Sequence, residues 1–234
     1  AGAAAAYLHW QNSAFAVVGL ILSGLWLVAD GLDGMIARAT GTASATGRVL
    51  DGLCDHGVFL CLYLALGYSI GFADIWLPML AAGACHAVQS SLYEAERARY
   101  HRRLRGDGGN PSAASLHRNP GVRLYETAFH ALDRWADPLD RHLRESHPEP
   151  GFAVRYRNAA RKPLLAMTPL SANTRVLAIF LACVMGDPRL FWWFEIGPLT
   201  LLTIVTIAWH RRVETSLLRP QRQPEGHKQA EAKD

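Results

Sequence analysis

Four aspartates near the start of the chain have the residue type and spacing of a metal-dependent site. Asp30 and Asp33 share a helix face by their i,i+3 spacing, and Asp51 and Asp55 share one by their i,i+4 spacing. Each pair stands at the end of a hydrophobic run, and a short turn joins the two runs. Two antiparallel helices of this kind would bring all four carboxylates together at membrane depth.

Carboxylates gathered in this way repel one another, and removing them from water is costly. One divalent cation, or two about 3.5–4 Å apart, would offset that repulsion. Because all the candidate ligand atoms are oxygens, we expect Mg²⁺ or Mn²⁺ rather than Zn²⁺. One carboxylate could then accept a proton from a nucleophile. The competing interpretation is a set of helix-end acids paired with Arg38 and Arg48.

Small residues follow the same helix faces. Gly34 and Ala37 lie on the stripe of the first acid pair, and Gly47 and Gly52 lie beside the second pair. Small side chains allow two helices in a membrane to approach closely. We therefore predict a close helix crossing at these residues.

The composition indicates a membrane protein. Half of the residues are hydrophobic and 19% are charged, against about 25% charged residues in an average soluble domain. Several apolar runs approach the ~20 residues that span a bilayer. The runs are about Ser13–Ala29, Val49–Ile70, Ile75–Leu92, Leu164–Met185 and Leu190–Trp209, after a partial first helix at Ala1–Leu8. The predicted fold is an all-α integral membrane bundle of six transmembrane helices, the first one truncated in this chain.

The basic clusters predict how the bundle is oriented in the membrane, because they all lie at the ends of the apolar runs that face the same side. Arg97–Arg105, Arg155–Lys162 and Arg211–Arg212 all fall on one side when the spans are counted in turn. The positive-inside rule makes this side cytoplasmic. We therefore expect a protein of the cytoplasmic or inner membrane whose acids and both termini face the cytoplasm. The arginines lack interleaved base-reading groups, so we expect no nucleic-acid partner.

Four segments follow from this pattern. Residues 1–93 hold the first spans, 94–162 form a cytoplasmic insertion, 163–212 hold the last spans, and 213–234 are a hydrophilic tail. The purpose of residues 106–160 is not legible from the sequence. Within them, Gly121–Leu143 is predicted to form an amphipathic helix lying in the membrane interface. Its apolar side would carry Leu124, Phe129, Leu132, Trp135 and Leu139.

The acids belong to a longer motif. The segment from Asp30 to Asp55 fits D-x-x-D-G-x-x-A-R-x8-G-x-x-x-D-x-x-x-D at all eight fixed positions over 26 residues. This pattern resembles the signature of the CDP-alcohol phosphotransferases, also called CDP-alcohol phosphatidyltransferases. The resemblance implies a membrane enzyme, usually a homodimer, that transfers a substituted phosphate from a CDP-alcohol donor to an alcohol acceptor and releases CMP.

The resemblance also implies roles for the acids of the motif. Asp30, Asp33 and Asp51 would hold one metal ion. Asp30, Asp51 and Asp55 would hold a second ion. Asp55 would also act as the general base that takes the proton of the acceptor.

Further residues are assigned to substrate by the same resemblance. Gly34, Ala37 and Arg38 would receive the CDP group, Ser44 would contact the nucleotide, and Gly47 would leave room for the cytidine. Arg175 matches a basic residue that meets substrate phosphate in similar family members. An interfacial arginine that reaches lipid headgroups is the other interpretation of Arg175.

Several functions remain open at this stage. The donor could be CDP-diacylglycerol, which we favour from its frequency among compact members, or a CDP-linked head group such as CDP-choline or CDP-ethanolamine. A divalent-cation carrier would string polar groups through the bilayer, whereas the acids here gather at one end. A non-catalytic membrane protein would be expected to lack the base, yet Asp55 is present.

Overall fold

The described part of the chain is helical. The computed structural model describes residues 1–42, 44–71, 75–105, 137–145 and 151–218. A 3₁₀ turn, Thr168–Leu170, and a π-helical turn, Glu195–Leu199, lie between helices. The predicted all-α class is therefore confirmed over these residues. Its helices are α1 (Gly2–Tyr7), α2 (Ser13–Ala39), α3 (Ala45–Ile70), α4 (Trp76–Arg105), α5 (Asp137–Glu145), α6 (Phe152–Ala166), α7 (Ala172–Val184), α8 (Arg189–Phe194) and α9 (Thr200–Leu218).

Local signals set the limits of α2 and α3. The Asn12 side chain accepts a hydrogen bond from the Ala14 amide at 3.0 Å and so caps the start of α2. After α2 the chain turns at Gly41, whose φ of 70° lies in the left-handed region that favours glycine. Ser44 then caps α3 by accepting a hydrogen bond from the Gly47 amide at 2.9 Å.

This turn makes α2 and α3 antiparallel neighbours. The Trp10 indole, just before α2, donates a hydrogen bond of 2.8 Å to Ser69 Oγ in the last turn of α3. Helix α1 packs against both helices, and α7 packs against α2. Trp26 on α2 meets Phe59 on α3 edge-on, with ring centroids 5.8 Å apart. The motif acids of both helices consequently lie at the same end of the bundle.

Three helical stretches among the described residues are long and apolar enough to cross a bilayer. They are Ser13–Ala39, Leu50–Ile70 and Arg189–Leu218. Apolar side chains such as Ile21, Leu25 and Val28 of α2 point outward and are more than half exposed. Such an apolar exterior suits contact with lipid chains.

The count of six spans is not confirmed. The predicted span Ile75–Leu92 lies in α4 except for Ile75, and polar residues such as His86 and Gln89 lower its hydropathy. The predicted span Leu164–Met185 is interrupted at Ser171, which leaves the 13 residues of α7 as the apolar helix. A helix of that length falls short of the ~20 residues that a bilayer needs.

Helix α5 is the described part of the predicted amphipathic segment. Leu139 and Leu143 are buried in a cluster with Tyr100, Tyr156 and Ala160. Both leucines thus pack against α4 and α6. The predicted contact of Leu139 with the membrane interface is wrong, because protein side chains cover this residue. The other apolar residues of that prediction, Leu124, Phe129, Leu132 and Trp135, lie outside the described residues.

A buried glycine lets α1 pack tightly on α2. A Cβ at Gly19 would lie 2.8 Å from ring atoms of the buried Tyr7, whereas a Cβ at Gly24 would meet nothing within 4 Å. We expect Gly19→Ala to lower the melting temperature of the purified protein in detergent, because overpacking costs about 1–3 kcal/mol. Gly24→Ala is the matched control and should leave the melting temperature unchanged or slightly raised. Equal melting temperatures for the two variants would contradict this packing.

Candidate active site

The four motif acids lie at the adjoining ends of α2 and α3. Asp30 and Asp55 are partly buried, whereas Asp33 and Asp51 are exposed. Asp51 and Asp33 both lie near enough to Asp30 for their charges to act on its carboxyl, Asp51 more strongly than Asp33. The negative charges of Asp30 and Asp51 likewise act on the Asp55 carboxyl. The structure therefore places near one another the acids that the spacing singled out.

One carboxylate oxygen in this group has no partner. Asp55 Oδ1 is buried and makes no hydrogen bond, and a buried polar atom without a partner is costly. Among the described residues, no ion pair joins Arg38 to any of the four acids, so the interpretation as simple helix-end pairs gains no support from Arg38. An unpartnered carboxylate oxygen beside two further carboxylates fits the oxygen-only ligand set of Mg²⁺ or Mn²⁺.

An aromatic layer lies one helical turn below the acids. Trp26 precedes Asp30 by four residues, and Phe59 follows Asp55 by four residues. The Phe59 ring also packs on His86 of α4, with centroids 4.3 Å apart. We call Trp26, Phe59 and His86 the aromatic floor.

The glycines of the motif do not make the predicted close helix crossing. The nearest atoms to a Cβ at Gly34 would belong to the guanidinium of Arg38, at 3.2 Å, and a Cβ at Gly47 would meet Ser44 Oγ at 3.1 Å. Among the described residues, no atom of the other helix is one of the nearest neighbours at either position. The glycines instead leave room for side chains of their own helix ends.

The other residues assigned to the nucleotide surround the turn between α2 and α3. Arg38 is exposed in the last turn of α2, and Ala37 beside it is partly buried. Ser44 is exposed and caps α3. Contact of these residues with a CDP group stays a prediction.

Arg175 is used by the protein itself. Its Nε donates to Glu195 Oε1 at 2.7 Å, its Nη2 donates to Gln89 Oε1 at 2.9 Å, and its Nη1 donates to the carbonyl of Leu170. The side chain is fully buried, and Glu195 neutralises its charge. In this arrangement Arg175 offers no exposed cation to a substrate phosphate or a lipid headgroup. A phosphate contact would require exchange of these bonds.

Glu94 is a fifth acid that the sequence analysis did not single out. It lies on α4, within the field of Asp51 and Asp55, and its carboxylate is 3.8 Å from Arg97. Partial desolvation by the surrounding protein raises the pKa of Glu94. The charge of Arg97 lowers it, and the charge of Asp51 raises it further. Its position two residues after a predicted span, at the end where the motif acids lie, is the signal that could have identified it.

A second group of potential metal ligands lies between α4 and α9. One ligand atom from each of Glu96, His210 and Glu214 falls within 4.8 Å of the others. The two carboxylates, however, already have cationic partners, so a divalent ion would be repelled rather than required. We call this group the ionic network. The donors to its carboxylates are Arg99, Arg103 and Arg211.

Comparison with known proteins gives one family. Residues 3–114 match the family model described as CDP-alcohol phosphatidyltransferase. The match contains the whole motif from Asp30 to Asp55 and confirms the resemblance. Neither the curated proteins nor the solved structures contain a significant match to the chain.

The ionic network supports a stability prediction. Burial alone would raise the pKa of Glu96, but its hydrogen bond with His210 and the charges of Arg99 and Arg211 outweigh burial and lower the pKa to about 2 from 4.5. The stabilisation is present above the unfolded pKa and is lost as the pH falls toward 2.

We therefore expect Glu96→Gln to lower the unfolding free energy near neutral pH by about 3 kcal/mol. Its stability should also change less between pH 5 and pH 3 than that of the wild type. Thermal unfolding in detergent across this pH range would measure both effects. Glu94→Gln is the exposed control and should cost less than about 1 kcal/mol. A Glu96 variant as stable as this control would show that the network is not a source of stability.

Proposed function

We propose that this chain, a member of the CDP-alcohol phosphatidyltransferase family, is a metal-dependent transferase of phospholipid biosynthesis that releases CMP. The family transfers phosphate from a CDP-alcohol to an acceptor hydroxyl. We propose CDP-diacylglycerol as the donor and a small polar alcohol as the acceptor. The protein would act in the membrane as a homodimer with its site facing the cytoplasm.

The observation that carries this proposal is the group of motif acids around Asp55, for which no ion pair is found among the described residues. Asp30, Asp51 and Asp55 lie within one another's fields, and Asp55 Oδ1 is buried without a partner. We assign Asp30, Asp33 and Asp51 to one Mg²⁺ or Mn²⁺ ion and Asp30, Asp51 and Asp55 to a second. When bound, such ions would supply charge that neutralises the pyrophosphate.

The residues of the turn would bind the donor. Arg38 is an exposed guanidinium at the end of α2, suited to a phosphate oxygen. Gly34 keeps space for that guanidinium, since its nearest side-chain neighbour is Arg38. Ala37, Ser44 and Gly47 would accept the cytidine end of the molecule, beside the α2–α3 turn.

Asp55 would perform the proton transfer. It would take the proton from the acceptor hydroxyl as the acceptor oxygen forms a bond to the phosphorus that bears the alcohol. The bond from this phosphorus to the bridging oxygen would break, and CMP would leave with that oxygen. The acceptor would enter from the side on which Asp33 and Asp51 are exposed.

A cation carrier fits the structure less well. A carrier needs ligands through the depth of the bilayer, whereas beneath the acids the described residues place Trp26 and Phe59. Transfer of a CDP-linked head group to a lipid hydroxyl remains the alternative within the family. It uses the same motif, so the donor must be decided by assay.

The test is CMP release by the purified full-length protein with Mg²⁺ or Mn²⁺. CDP-diacylglycerol, CDP-choline and CDP-ethanolamine would be offered in turn, each with a panel of acceptors. We expect metal-dependent CMP release from CDP-diacylglycerol, with kcat at least about 100-fold lower in Asp55→Asn. Asp187→Asn changes an exposed aspartate after α7 and is the matched control, with unchanged kcat.

Two results would contradict the proposal. Equal rates for wild type and Asp55→Asn would remove Asp55 from the chemistry. CMP release from CDP-choline or CDP-ethanolamine alone would keep the reaction class but reject the proposed donor.

A further inference from the structure

One face of α6 is exposed along its whole length. Its residues recur at i, i+3, i+4, i+7, i+8 and i+11, so they form one continuous helical stripe. All are exposed, including the apolar Val154 and Leu165 at the two ends, at 56% and 57%. We call this the α6 stripe. Its members are Val154, Arg157, Asn158, Arg161, Lys162 and Leu165.

The opposite face of α6 fixes the direction of this stripe. Tyr156, Ala160 and Pro163 are buried, and α6 packs against α4 and α9. The Tyr156 hydroxyl also accepts a hydrogen bond of 3.1 Å from Arg103 of α4. Because this buried face cannot rotate outward without loss of these contacts, the α6 stripe is held toward the surroundings.

The cations of the α6 stripe differ from those of the ionic network. Arg103 and Arg211 have carboxylate partners. Arg157, Arg161 and Lys162, in contrast, have no acidic partner among the residues that the structure describes. The helix thus presents, from consecutive turns of one face, three positive charges that no acid among the described residues compensates.

The place of α6 in the chain puts this charge next to a predicted membrane boundary. Lys162 is followed, after Pro163, by the predicted apolar run that begins at Leu164. The exposed Leu165 continues the α6 stripe into that run. An apolar end beside cationic side chains suits the level of the lipid headgroups, where long basic side chains reach phosphates while apolar groups meet the acyl chains.

We propose that the α6 stripe binds anionic phospholipids, with Arg157, Arg161 and Lys162 on the headgroup phosphates and Leu165 toward the acyl chains. Guanidinium groups are suited to phosphate oxygens because they offer a planar pair of donors. The occupant is a membrane lipid with net negative charge. This binding is separate from the transfer reaction and does not depend on it.

The test uses lipid binding to the purified full chain without any CDP-alcohol. Native mass spectrometry in neutral detergent would compare dioctanoyl phosphatidylglycerol with dioctanoyl phosphatidylcholine. We expect the wild type to prefer the anionic lipid. The variant R157Q/R161Q/K162Q should bind it on the order of 100-fold more weakly at low salt, about fivefold for each charge removed. Asp55→Asn should bind it as the wild type does, which separates this site from the proposed active site.

Two control variants keep the result interpretable. R157K/R161K retains the charge and should keep most of the preference, which shows that charge at these positions is what binds the lipid. An unchanged melting temperature of the triple variant would show that its loss of binding is not misfolding. Arg189→Gln removes an exposed cation elsewhere, paired with Asp187, and should have no effect.

Three outcomes would overturn the proposal. They are an undiminished preference in the triple variant, equal binding of the two lipids by the wild type, or complete displacement of the anionic lipid by inorganic phosphate at matched ionic strength. The last outcome would indicate a site for free anions rather than lipid.

Discussion

The mutual repulsion of carboxylates at the ends of α2 and α3 is the constraint on which the candidate site depends. Asp30, Asp51 and Asp55 are held within one another's fields although like charges in a partly buried place oppose this arrangement. The scaffold resists the repulsion by the short turn at Gly41 and by the contact of Trp26 with Phe59 one turn below. The contact fixes the two helices, but it leaves the charge itself uncompensated.

Acids elsewhere in the bundle differ from the motif acids because they form ion pairs. Glu195 is buried with Arg175, and Glu96 and Glu214 are buried with arginines of α4 and α9. Their charges are therefore balanced within the chain. Removing one partner of a pair would leave a buried charge without compensation, which is destabilising. Among the described residues, the motif acids alone combine mutual proximity with the lack of any ion pair. The buried acids Glu96, Glu195 and Glu214 are paired, whereas no ion pair of the motif acids is found among the described residues.

The sequence predicted this contrast in part. The convergence of the motif acids followed from two hydrophobic runs joined by a short turn, which are local features. The pairing of Arg175 with Gln89 and Glu195 could not be read in the same way, because Gln89 lies 86 positions away in the chain. The ionic network joins residues as far as 115 positions apart. Such contacts depend on how the helices pack. A side chain such as Arg175, which the sequence pattern assigns to a ligand, can therefore be bound within the protein instead.

Helix lengths show a similar limit. Apolar periodicity gave correct positions for α2 and α3, but it could not show that Ser171 interrupts the fourth predicted span, since a break depends on backbone conformation at one residue. The role of the motif glycines was also misjudged. The spacing predicted that they lie at a close crossing of two helices, whereas the side chains nearest to Gly34 and Gly47 belong to their own helix ends.

The most direct test of the central claim is to locate Mn²⁺ by its anomalous X-ray scattering in crystals of the full-length protein. The unpaired acids predict an anomalous peak within coordination distance of Asp30, Asp51 and Asp55. They also predict that no ion binds between Glu96, His210 and Glu214, where arginines hold the carboxylates. A peak at the ionic network, with none beside Asp55, would contradict the account.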